Sequence, residues 1–230
     1  MATTPKRPKF ISPKGPFSWP KLTVPDTKFK PEGEYSVKLI LDSDSVEAKR
    51  LIKQIDEAAA ESLAENKAKA KNAAEAKKWE TKSVPYAEVL DTETGDPTGQ
   101  TEFTFKMTAS GTSKKTGKDW KRQPSLFDAK GKPLAGKDLK IGGGTIGKIS
   151  YELMKWGTLQ LGASVKLALE GAQIIDLKEW GSRDAKSFGF GEEEGFSGDD
   201  LADDKGEDNS DFGDESEGST EADDSTGSDF

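Results

Sequence analysis

The 230-residue chain contains no cysteine and no histidine. The first absence rules out a disulfide framework, and the two together exclude zinc sites built on thiolate or imidazole. A Ser-His-Asp or Cys-His nucleophile is equally impossible. Long apolar runs are missing too. No stretch approaches the roughly 20 apolar residues that a membrane-spanning helix needs. Met1 to Lys14 is rich in Pro and Lys and has none of the apolar character of a signal peptide. These absences predict a soluble, cytosolic protein with no membrane partner and no cofactor. Carboxylate-based metal chemistry survives the exclusions, but Glu88, Asp91, Glu93 and Asp96 are the body's only clustered carboxylates. They fall in a Gly- and Pro-containing loop where solvation accounts for them, so an enzyme is not expected.

What is present is charge, unevenly spread. The formal net charge is −8, from 34 Lys and Arg against 42 Asp and Glu. Residues 187–230 hold seventeen of those acids and one base, Lys205, which gives 1 − 17 = −16. The remaining 33 bases and 25 acids leave residues 1–186 at +8. A cationic body joined to an anionic tail predicts a polyanion-binding domain and an interaction tail. The tail has no Ile, Val, Met, Trp or Tyr. It cannot bury enough apolar area to offset its ordering entropy, and disorder is the expectation. Its single apolar residues, Phe230 at the end among them, stand among carboxylates as interaction points rather than a core.

In the body, residues 1–28 read as a basic extended arm. Six prolines from Pro5 to Pro25 oppose a helix and disfavour a central strand. The arm also carries Phe10, Phe17 and Trp19, either to dock on the body or to touch a polyanion. Glu34 to Leu41 alternates Tyr35, Val37, Leu39 and Leu41 with polar residues, as a strand does. A helix is predicted over 44–79, with Asp44 as its cap and Glu47 in the capping-box position. Ala48, Leu51, Ile52, Ile55, Ala59 and Leu63 give it one apolar stripe that fades beyond Leu63.

Strand patterns follow from residue 100. Phe103, Phe105 and Met107 alternate with Thr104, Lys106 and Thr108, and a turn at Lys114–Gly117 predicts a hairpin into Asp119 to Phe127. Gly142-Gly143-Gly144 lacks the Lys-Ser or Lys-Thr ending of a phosphate loop and precedes a strand, so it predicts a tight corner. Strands are expected at Thr145–Trp156 and from Gly162 onward. The fold class is therefore mainly β: a five-stranded barrel with a long helix inserted after an early strand, residues 1–186, followed by the disordered tail 187–230.

Two clusters interleave cations with aromatic rings, the combination that holds single-stranded nucleic acid through phosphate contacts and base stacking. One is Lys114, Lys115, Lys118, Trp120, Lys121 and Arg122 across the hairpin; the other is Lys148, Tyr151, Lys155 and Trp156. Asp229 and Phe230 end the tail with a ring in a dense anionic setting, suited to a pocket rimmed by Lys and Arg on a partner. A rival reading makes the chain an acidic-tailed chaperone or adaptor for basic protein clients.

The stretch IGGG at Ile141–Gly144, then Lys155-Trp156, then GASVKLALE at Gly162–Glu170, with the acidic tail ending in Asp-Phe, resembles the single-stranded DNA-binding proteins of podovirus-type tailed phages. The resemblance implies an OB-fold that binds single-stranded DNA without sequence preference, in phage DNA replication, recombination and repair within the cytoplasm of the infected host. It also implies a tail that competes with DNA for the barrel and docks on the phage DNA polymerase and helicase-primase, and allows a homodimer. Its aromatic roles carry over to Trp156 and Phe230. The family's tyrosine before that Lys-Trp is Met154 here, which favours Trp156 over Tyr151 as the stacking ring.

Overall fold

A computed structural model of the chain describes residues 7–135 and 139–179. In chain order it contains β1 (Lys9–Ile11), β2 (Gly15–Asp26), β3 (Glu34–Asp42), α1 (Val46–Ala68), α2 (Ala73–Ala76) and β4 (Tyr86–Leu90). There follow β5 (Pro97–Thr108), β6 (Ser110–Thr112), β7 (Asp119–Lys121), β8 (Ser125–Phe127), β9 (Ile146–Thr158) and β10 (Gly162–Asp176). The tail 187–230, with Asp229 and Phe230, lies outside the described residues, so its expected disorder is not addressed by them.

Five strands close on themselves. β2 pairs with β3, β3 with β5, β5 with β10, β10 with β9, and β9 returns to β2. All these pairings are antiparallel except β5 with β10, which run parallel through Phe105 and Leu167. This is the five-stranded OB-fold barrel expected from the sequence, whose narrow interior is filled by side chains. Phe17, Val37, Leu39, Phe103, Phe105, Ile149, Tyr151, Val165, Leu167 and Leu169 form that core. Each comes from an alternating strand pattern, because successive residues of a strand face opposite sides.

The prolines did not keep residues 15–26 out of the barrel. The expected extended arm is instead an integral strand, β2, from Gly15 onward. Pro20 and Pro25 fall in the two register breaks between β2 and β3, so their missing N–H groups come where the ladder is already interrupted. The helix is also shorter than its predicted span of 44–79. Ser45, not Asp44, caps α1: its hydroxyl accepts from the Ala48 N–H at 3.2 Å and donates to the Asp42 carbonyl at 2.6 Å. Ala48, Leu51, Ile55 and Ala59 pack against the barrel as the stripe predicts. The chain leaves the helix after Ala68, where the stripe has run out, and makes only the short α2 beyond it.

The triple glycine is a corner, as expected. Gly144 has φ +82°, and its N–H donates to the Phe17 carbonyl at 2.7 Å, while the Gly142 N–H donates to the Lys178 carbonyl at 2.7 Å. The seam of the barrel follows at Gly147, which pairs with Gly15 on one side and Ile174 on the other. A methyl group there would lie 2.5 Å from both the Gln173 carbonyl oxygen and the Phe17 ring, whereas one on Gly143 would meet nothing within 4 Å. Gly147→Ala is therefore expected to lower unfolding stability by about 1–3 kcal/mol in a denaturant titration. Gly143→Ala serves as the near-neutral comparison.

Candidate nucleic-acid interface

The lysine-rich hairpin forms from β6 and β7, with Gly111 opposite Trp120. Its turn is closed by the Ser113 N–H donating to the Lys118 carbonyl at 2.9 Å, with Gly117 at φ +66°. Lys114, Lys115, Lys118 and Lys121 are exposed, and none forms an ion pair among the described residues. Trp120 lies over Gly111, where an added methyl would meet the ring at 2.7 Å, and it keeps 37% of its surface exposed. The Arg122 guanidinium stands 5.2 Å from the Trp120 ring centre, and its Nε donates to the Thr108 carbonyl at 2.8 Å. The hairpin thus presents exposed cations at its tip and a cation–ring pair at its base.

The outer face of the barrel supplies a second cationic surface. Register aligns Ser18 on β2, Lys38 on β3 and Thr104 on β5, and sets Lys166 on β10 beside Met154 on β9. The neighbouring row holds Lys21, Ser36, Lys106 and Ala168. Most of these lysines have carboxylate partners: Lys38 with Glu102 at 2.7 Å, Lys106 with Glu34 at 3.1 Å, and Lys21 with Asp26. Burial opposes ionisation of Glu34, yet its bonds to Lys30 and Lys106 prevail and hold the carboxyl below its ordinary range. Lys166 has no such partner among the described residues. Desolvation, then Arg122 and other nearby cations, lower its pKa. That coupling also ties the barrel face to the base of the hairpin.

Between β4 and β10 the sheet splits. β5 pairs with β4 at Tyr86 to Leu90 and with β10 only from Phe105 onward. The Thr104 N–H donates to the Pro85 carbonyl at 2.8 Å at the fork. The resulting hollow, of about 400 Å³, is lined by Val84, Pro85, Tyr86, Lys106, Trp156 and Lys166 among others. An apolar floor, an indole and two lysine side chains therefore line one opening.

The second sequence cluster does not assemble as expected. Trp156 faces the hollow, but Tyr151 is a core residue, packed edge-on against Phe105 at 5.2 Å and beside Phe10 at 5.7 Å. Its hydroxyl donates to Gln54 Oε1 at 3.0 Å, and burial pushes its phenol up to about 12. It offers no ring to a base. Strand alternation explains the difference, since Tyr151 is an odd number of residues from Trp156 and faces the interior. Lys155 turns to α1, bonded to Glu61 at 2.8 Å and Glu65 at 2.7 Å, and those bonds raise its pKa. It is not the free cation that its place beside Trp156 suggested. Lys148 shares the outward face of β9 but stands eight residues from Trp156, roughly 26 Å along an extended strand. The sequence reading left Lys38 and Lys106 as strand positions only and did not single out Lys166.

Comparison with known proteins shows the family. A family profile for the single-stranded DNA-binding protein of bacteriophage T7 matches residues 15–177. The chain belongs to that family. It is 34% identical over 158 residues to the single-stranded DNA-binding protein of Escherichia phage T7, and 32% identical over 158 residues to that of Enterobacteria phage T3. In each case the match takes in 66% of this chain and 65% of the relative's length. The crystal structure of gp2.5, the single-stranded DNA binding protein encoded by bacteriophage T7, is similar with a TM-score of 0.62 at 27% identity, over 84% of this chain and 99% of that one. The matched span takes in the barrel, α1, the hairpin and the hollow.

The two lysines on neighbouring elements should respond oppositely to neutralisation. Lys155→Gln removes a paired charge and is expected to lower the melting temperature modestly. Lys166→Gln removes an unpaired one and is expected to raise it. Because the folded pKa of Lys166 is below the ordinary lysine value, its penalty is present at neutral pH and is relieved as pH rises through that folded pKa. The gain from Lys166→Gln should therefore shrink in alkaline buffer, a trend that thermal unfolding at neutral and high pH would reveal.

Proposed function

We propose that the chain binds single-stranded DNA, without sequence preference and without catalysis, on the outer face of the barrel. The observation that carries this is the hollow where Trp156 meets Lys106 and Lys166, continued through Arg122 to the lysine-rich hairpin. Stacking rings among phosphate-tracking cations suit any base sequence, since every base has a π face. The face formed by β3 and β5 is also the one on which OB-folds bind oligonucleotides. The names of the T7 and T3 relatives support the same function, and a role in phage DNA replication, recombination and repair in the host cytoplasm follows from it. Lys155 serves α1 rather than DNA in this account, and Tyr151 serves the core.

The tail extends the proposal. A segment of charge −16 tethered to a body of +8 competes with phosphates for the same cations. A flexible chain of about 40 residues reaches about 35 Å, enough to return to the barrel at an effective concentration on the order of mM. When DNA occupies the face, Asp229 and Phe230 are released for basic pockets on replication partners, the phage polymerase and helicase-primase. A homodimer is compatible with the same exchange of tails.

Titration of the full chain with oligo(dT) and with duplex DNA over a range of salt tests the proposal. Preferential oligo(dT) binding is expected, with log K falling against log salt at a slope near −3 to −4 if about four to six phosphates are neutralised. A flat salt response would sink it. Trp156→Ala should weaken binding by about 1–3 kcal/mol with little change of slope. Deleting residues 187–230 should tighten binding. A tail-dependent protein-binding activity with no oligo(dT) affinity would instead favour the chaperone alternative.

A further inference from the structure

Trp19 is the only non-glycine residue with a positive φ, +47°, among the described residues. Left-handed backbone is unfavourable for a bulky side chain, and Pro20 after it narrows the choices further. Such strain persists where the surroundings over-determine it, and it gathers at functional positions. The cause here is the bulge in β2: Ser18 faces Lys38 and Lys21 faces Ser36, so β2 spends one extra residue against β3. Bulges of this kind re-aim a side chain. The side chain re-aimed is an indole that stays 77% exposed, while its strand neighbour Phe17 is buried. Folding gains little apolar burial from it.

Its position matters as much as its exposure. Ser18, immediately before it, begins the row that runs through Lys38, Thr104 and Lys166 to Met154. The row follows the curved barrel wall, and β3 and β5 lie between β2 and β10 along it. Trp156 and its hollow mark one margin of that face, and Trp19 marks the other. We propose that Trp19 is a second stacking platform for the bases of single-stranded DNA, and that the strand crosses β3 and β5 between the two tryptophans. This rests on the single-stranded DNA-binding function proposed above and adds the direction in which the DNA runs.

The test compares Trp19→Ala, Trp19→Phe and Trp19→Gly in the full chain, by oligo(dT) titration at several salt concentrations and by thermal unfolding. Trp19→Ala and Trp19→Gly are expected to weaken binding about five- to a hundredfold, with the salt slope unchanged because the ring contacts no phosphate. Trp19→Phe should keep most of the affinity. Trp19→Gly should also raise the melting temperature, since glycine accepts the backbone angle, and it keeps the test open if the alanine variant folds poorly. Wild-type affinity in Trp19→Ala and Trp19→Gly would overturn the proposal and leave the exposed indole to a protein partner. Absence of oligo(dT) binding by the wild-type chain would overturn the underlying function instead, so the two failures are distinct.

Discussion

A closed ring of five strands has one inside, and the interior of so narrow a barrel has room only for packed side chains. Every second residue of β3, β5, β9 and β10 must therefore be apolar, and the residues between them must face out. Closure also removes the free edges of the central strands, so the outer face is a fixed surface rather than a ladder waiting for a partner. The seam that makes closure possible is Gly147, pressed between the Gln173 backbone and the Phe17 ring. The registers that follow from that seam decide which lysine stands beside which.

The face created in this way is electrostatically restrained. Lys21, Lys38 and Lys106 are held by carboxylates, so the barrel does not fold around a patch of unopposed charge. Exposed pairs of this type contribute little to stability, and a phosphate can replace the carboxylate at small cost. Lys166 is the exception: it forms no ion pair among the described residues, and desolvation and Arg122 outweigh the pull of Glu34 in lowering its pKa. In the proposed function, a DNA phosphate at the hollow lined by Trp156 supplies the partner that Lys166 lacks.

Much of this was legible in the sequence, because alternation is a local signal. Four of the five barrel strands, the helical stripe through Leu51 and Ile55, the glycine corner and the hairpin around Gly117 all follow from spacing. Tyr151 and Lys155 sit near Trp156 in sequence but not on its face, because the period of two puts one inside and the other against α1. The signal for the missed residues was present in the same pattern. Lys38, Lys106 and Lys166 each stand on a strand between two apolar residues, as Val-Lys-Leu, Phe-Lys-Met and Val-Lys-Leu. That three such lysines share one face is a matter of long-range register, which no local window contains. The bulge at Trp19 was hidden for a related reason, since the prolines around it disfavoured a central strand.

Lysine footprinting of the full chain, by limited acetylation with and without saturating oligo(dT), tests most directly where DNA lies. The account predicts that Lys106, Lys121 and Lys166 lose reactivity when the oligonucleotide is bound. Lys67, Lys71, Lys77 and Lys78, on α1 and the short segment after it, should react as before. Protection confined to those four, with Lys106 and Lys166 unchanged, would contradict it.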